Sequence, residues 1–193
     1  MKALSFVACV LMSCGAAIAT SHSETREPTG QKPDAQQTSA QVAFARLKTL
    51  AGNWKGQAAM GPQPGASAPV RVSLRVTSGG DALMHEMVPE GRPDDPSRGD
   101  DDPITMLYVD GDRLILTHYC DSGKNRPRMA GRLSPDGKTV EFDFLDVSGG
   151  TKYGHMHRAV FTIIDANHHT EGWTYMTPAN VPNEAHIDLV RAN

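Results

Sequence analysis

The sequence predicts an all-β protein: a single up-and-down antiparallel β-barrel of about ten strands, with a short helix in front. Three observations carry that reading. After Gly52, short runs of β-branched, aromatic and aliphatic residues alternate with tight-turn signals. Helical periodicity occurs once, ahead of those runs, and does not return. A sheet of that many strands curls or splits, and closure removes its exposed edges, which favours a barrel over a sandwich.

Length and composition agree with one domain. The chain has 193 residues, 39% hydrophobic and 21% charged, ordinary values for a soluble protein. One core of useful size fits that length and two do not. The formal net charge of -3 leaves no basic footprint, so nucleic acid is not an expected partner. Beyond the N-terminus, no apolar run reaches the ~20 residues a membrane-spanning helix needs.

Residues 1–19 read as a secretory signal: Lys2 precedes an apolar stretch from Ala3 to Met12, and small residues follow. Ala17-Ile18-Ala19 fits the small-x-small cleavage rule, which makes Thr20 the first mature residue. Leu11-Met12-Ser13-Cys14 offers an alternative, a lipobox whose acylated Cys14 would anchor the protein to a membrane. Both readings expect export, to the periplasm or outside the cell. Cys9 leaves with the signal and Cys14 is removed or acylated. Cys120 is then the one thiol expected in the folded domain, and no intramolecular disulfide can form. Residues 20–39 are polar, with almost nothing apolar, and read as a disordered linker. The barrel domain is expected over 40–193.

Within that domain, Val42, Phe44, Ala45, Leu47, Leu50 and Ala51 recur near helical spacing, so a helix is expected over 40–50, stopped by Gly52. Strands are expected at 54–60, 69–77, 82–89, 104–109, 113–120, 128–133, 139–146, 154–164, 169–176 and 185–191. Ser78-Gly79-Gly80, Asp110-Gly111-Asp112, Ser134-Pro135-Asp136-Gly137 and Asp165-Ala166-Asn167 punctuate them. Asp-Gly and Gly-Gly supply the positive φ that tight hairpins require. The acidic, proline-rich stretch 90–103 breaks the rhythm and reads as a solvated loop at the barrel mouth. Its Asp100, Asp101 and Asp102 lack the spacing of an EF-hand calcium loop.

Successive strand residues face opposite sides. In 154–164, His155, His157, Ala159, Phe161 and Ile163 oppose Met156, Arg158 and Val160. An unpaired arginine is costly to bury, so the histidine face is expected inside. The same logic turns Leu114, Leu116, His118 and Cys120 inward opposite Arg113, and Leu83, His85 and Met87 inward opposite Glu86. Glu171, Trp173 and Tyr175 share a face, which the aromatics place inside.

Leu50-Ala51-Gly52-Asn53-Trp54-Lys55-Gly56 carries Gly-x-Trp-x-Gly directly after the helix. This resembles the start of lipocalin-like (calycin) barrels, nitrobindin-like proteins included. The resemblance implies that Trp54 packs near a basic residue at the end of the last strand, a role open to Arg191. The stretches Leu116-Thr117-His118-Tyr119-Cys120, Arg126-Pro127-Arg128-Met129, Gly154-His155-Met156-His157-Arg158 and Glu171-Gly172-Trp173-Thr174-Tyr175 also resemble a group of exported bacterial proteins of unassigned function. That likeness implies a fold and brings no chemistry. Nitrobindin-like barrels bind haem through a late-strand histidine. His186 lies on the last strand, though its spacing to Arg191 does not clearly match. His168 and His169 sit beside a predicted turn and are expected to face solvent.

Three readings of the interior follow. In the binding reading, His85, Tyr108, His118, His155, His157, Glu171, Trp173 and Tyr175 line a mostly apolar cavity for one small apolar or amphipathic molecule, with imidazoles as polar pins. In the metal reading, His155 and His157 join His118 around a zinc ion, with Glu171 as ligand or general base. In the third, the histidines bond to Tyr108, Tyr119, Glu171 or backbone, and no ligand is bound. Cys120 near His118 also permits a thiolate nucleophile, but an isolated cysteine behaves more often as a small buried hydrophobe. Walker A, dinucleotide, Gly-x-Ser-x-Gly and Cys-x-x-Cys motifs are absent, so no catalytic residue is assigned.

Overall fold

The computed structural model describes residues 36–61, 67–92 and 102–192. The expected signal, most of the linker and the centre of the acidic loop, with Asp100 and Asp101, lie outside the described residues.

Helix α1 (Ser39–Lys48) opens with a capping box: the Thr38 hydroxyl accepts from the Gln41 backbone N–H, and the Gln41 side chain accepts from the Thr38 N–H. Its apolar face, Ala40, Ala43, Phe44 and Leu47, is buried. The helix ends at Lys48, short of the expected residue 50. Gly52 does not stop it and instead begins the first strand.

Ten strands follow: β1 (Gly52–Met60), β2 (Ser67–Thr77), β3 (Ala82–Pro89), β4 (Ile104–Asp110), β5 (Arg113–Tyr119), β6 (Arg126–Leu133), β7 (Thr139–Ser148), β8 (His155–Asp165), β9 (His168–Met176) and β10 (Pro182–Arg191). Each pairs antiparallel with its sequence neighbours, and β1 pairs with β10 to close the barrel. The up-and-down topology is the one the turn punctuation predicts.

The Gly-x-Trp-x-Gly motif acts at that closure. Trp54 is opposite Arg191 in the β1–β10 register. The Trp54 side chain is buried, and its indole N–H donates to the Leu50 carbonyl at 2.8 Å. The Arg191 guanidinium lies over the indole, 4.2 Å from its centre, and donates to the carbonyls of Ala51 and Ala166, each at 3.0 Å. Gly52 has φ 139° and leaves the space that the guanidinium occupies. At Gly56, a Cβ would overlap the Asp188 carbonyl of β10, so only glycine allows the two strands to approach there.

The two barrel ends differ. Where β1 begins, α1 covers the barrel: Arg46 donates to the Gly137 carbonyl at 2.9 Å and Lys48 to the Gly80 carbonyl at 3.2 Å. Below the helix, Trp54, Leu83, Leu107, Leu114, Val140, Phe161 and Leu189 form a continuous core. The opposite end, where β1 finishes and β10 starts, is hollow.

Candidate functional site

The hollow end holds a cavity of about 380 Å³. Ala58 and Met60 of β1, Met87 of β3, Met156 of β8, and Ala185 and Ile187 of β10 give it an apolar wall. Trp173 and Tyr175 of β9 add aromatic surface. The polar groups are His85 of β3, Thr105 of β4, His118 of β5, Cys120 and Ser122 just after β5, and Asn183 of β10. Trp173 stands between the two imidazoles, its ring centre 5.5 Å from that of His85 and 5.6 Å from that of His118.

Beneath the cavity lies a buried carboxylate. Glu171 has no exposed surface. Three N–H groups converge on it: His85 Nε2 at 3.0 and 3.2 Å from the two oxygens, His169 Nε2 at 3.1 Å and Trp173 Nε1 at 3.0 Å. An ionised carboxylate only accepts hydrogen bonds, so both imidazoles carry a proton on Nε2. Burial pushes the Glu171 carboxyl upward. The His85 charge and the hydrogen bonds from His169 and His85 outweigh that, and hold it well below the usual carboxylate range. The opposite ring nitrogen, Nδ1, of both His85 and His169 is buried without a partner among the described residues.

His169 also meets Trp54 edge-on, with ring centres 4.2 Å apart. Contacts therefore run from Arg191 through Trp54, His169 and Glu171 to His85 at the cavity. On the far wall, the Thr105 hydroxyl lies 2.8 Å from His118 Nδ1. Tyr175 donates its hydroxyl hydrogen to the Tyr153 carbonyl, and burial and the nearby Cys120 raise the pKa of its phenol.

Of the residues expected in the cavity, His85, His118, Trp173 and Tyr175 line it, and Glu171 sits beneath it. His155 and His157 do not line it. A bulge between Met156 and Arg158 inserts one extra residue in β8, so Met156 takes the inward place. Arg158 still faces outward, toward Glu141 and Asp143. The β7–β8 pairing ends at Asp143 opposite Arg158. Beyond that point the two histidines pack at the seam, 3.2 Å apart between Nε2 of His155 and Nδ1 of His157, with the His157 ring stacked on Phe144.

The zinc arrangement of His118, His155 and His157 is therefore not assembled. Among the described residues, no three His, Cys, Asp or Glu side chains are grouped to hold a metal ion. Tyr108 points outward, between Leu107 and Val109, which both pack into the core, and its hydroxyl lies 3.2 Å from the Thr117 hydroxyl. His186 is exposed on β10, opposite Gly172, so the haem placement that the nitrobindin-like resemblance implies does not fit this chain. His169, expected in solvent, is fully buried, while its neighbour His168 pairs with Asp188 at the surface. Sequence reasoning also missed Thr105, Met156 and Ile187.

No family model matches the chain, and no curated protein matches its sequence. Among solved structures, the fold is similar to Rv2717c from M. tuberculosis, with a TM-score of 0.57 and 16% identity over 78% of this chain and 98% of that one. It is also similar to a protein of unknown function of the DUF3598 family from Nostoc punctiforme, with a TM-score of 0.51 and 12% identity over 76% of this chain and 49% of that one. At such identities the likeness shows the barrel fold alone.

Proposed function

We propose that this protein is an exported barrel that binds one small apolar or amphipathic molecule in the cavity at its open end. The observation that carries the proposal is the cavity itself: about 380 Å³, walled mostly by aliphatic and aromatic side chains, with His85 held by Glu171 and His118 by Thr105. That is the usual form of a small-molecule site. At ~30 Å³ per water, it has room for about a dozen waters, more space than a side-chain-filled barrel core leaves. The lipocalin-like resemblance of the Gly52–Trp54–Gly56 segment supports the same reading. Export rests on the Lys2-led apolar segment and the Ala17-Ile18-Ala19 site.

Native mass spectrometry of protein isolated from its own host tests both parts. The expected species starts at Thr20, or at an acylated Cys14, and carries one organic molecule. A chain that begins at Met1 in the cytoplasm contradicts export. A protein with no organic adduct that also fails to take up apolar dyes contradicts binding.

A further inference from the structure

The binding reading leaves the chemistry of the ligand open, and the make-up of the cavity wall narrows it. The packed core beneath α1 is rich in branched aliphatic side chains, among them Leu83, Leu107, Leu114 and Val140. The cavity is lined differently. Among the described residues, its wall has one branched hydrocarbon side chain, Ile187, against three methionines, Met60, Met87 and Met156. Two imidazoles, an indole and a phenol complete the contrast. The rings are held in place: Trp173 Nε1 donates to Glu171 at 3.0 Å, and the Tyr175 hydroxyl donates to the Tyr153 carbonyl. The rings of His85, Trp173 and His118 stand in series, with centres 5.5 and 5.6 Å apart and planes tilted by 48° and 42°. This arrangement is the same whichever imidazole nitrogen carries the proton. In β8, the bulge turns Met156 inward, opposite Tyr175, and bulges re-aim side chains in this way beside functional sites.

We infer that the cavity selects a neutral aromatic ring system over a saturated hydrocarbon of the same frame, through the thioethers of Met87 and Met156 and the rings of Trp173 and Tyr175. Thioether sulfur makes favourable contacts with aromatic rings, often at the ring edge. Ring–ring contacts are favourable both offset and edge-to-face, so an aromatic ligand gains from this wall without one fixed orientation. A saturated ligand gains burial alone. Neutrality follows from the lining, which among the described residues contains no Lys, Arg, Asp or Glu to pair with a ligand charge.

This inference rests on the binding reading, and a graded series of probes separates the two. Naphthalene, tetralin and trans-decalin share one fused carbon frame and differ in how many of its two rings are aromatic. Burial alone ranks decalin first, because it carries the most apolar surface. Binding is measured by depletion of each vapour over the full mature protein at neutral pH. The expected order is the reverse: naphthalene about tenfold tighter than decalin, with tetralin between them. In the Met87→Leu, Met156→Leu double variant, the apolar volume is nearly kept and both sulfurs are gone, so naphthalene's lead falls to about threefold or less. If decalin binds wild type as tightly as naphthalene or more so, the aromatic inference is overturned while the cavity reading stands. If the double variant keeps the full lead, the role given to the thioethers is overturned. If none of the three binds, the cavity reading fails and takes this inference with it.

Discussion

A carboxylate with no exposed surface is tolerable only when its charge is met, and three N–H groups meet Glu171. Glu171→Leu strands those donors and should cost about 3–5 kcal/mol in urea unfolding at pH 7. The Glu171 pKa is lower folded than unfolded. Its stabilising contribution is therefore complete above the ordinary carboxylate range and is lost as pH falls below it. The stability gap between wild type and Glu171→Leu should narrow from about pH 5 downward. A gap that stays constant to pH 3 would mean the carboxyl is not held ionised. At the other end of the contact chain, Trp54→Ala should cost about 3–5 kcal/mol through the cavity it opens. Arg191→Met should cost less, about 1–2 kcal/mol from the lost indole and carbonyl contacts. Calorimetric unfolding of the two variants checks that order. The inward placement of Glu171 and Trp173 was legible from strand alternation. Alternation carried two residues further would have placed His169 inside as well, but its position at the strand's first residue, beside Asp165-Ala166-Asn167, suggested solvent, when β9 in fact begins one residue earlier at His168.

At the scale of elements, alternation holds where strands are regular and fails where one residue is inserted. In β3 and β5 it correctly turns His85 and His118 inward. In β8 the bulge at Met156 and Arg158 breaks it, and nothing in Gly154-His155-Met156-His157-Arg158 marks the insertion. His155 and His157 therefore belong to the β7–β8 seam, and the His155→Leu, His157→Leu double variant should bind an apolar naphthalene dye within about twofold of wild type. Its stability should respond to pH differently. Burial and then the neighbouring His157 charge lower the His155 pKa. As pH falls through the ordinary histidine value of ~6.5, the unfolded chain thus takes up more protons there, and wild-type stability falls. Urea titrations of both proteins should show that slope flattened in the double variant. An unchanged slope would show that His155 does not titrate in this way. The glycines of Gly-x-Trp-x-Gly were readable as a motif, but their physical reasons, a guanidinium beside Gly52 and a strand crossing at Gly56, needed the β1–β10 register.

For the whole molecule, ten strands and their order were legible because four of the nine connections carry tight-turn signals and α-helical periodicity does not return after the first strand begins. The difference between the two ends was not, because it depends on where α1 folds back. That helix and the core beneath it close one end, and the space left at the other end is the cavity. The most direct test of a ligand site there is to fill it. Ala58 lies on the cavity wall opposite Ile187 in the β1–β10 register and makes none of the Glu171 hydrogen bonds. An apolar naphthalene dye should bind wild type at one site per chain and bind Ala58→Trp at least tenfold more weakly, while both proteins unfold in a single cooperative step. Equal dye affinity in the two folded proteins would contradict the cavity as the binding site.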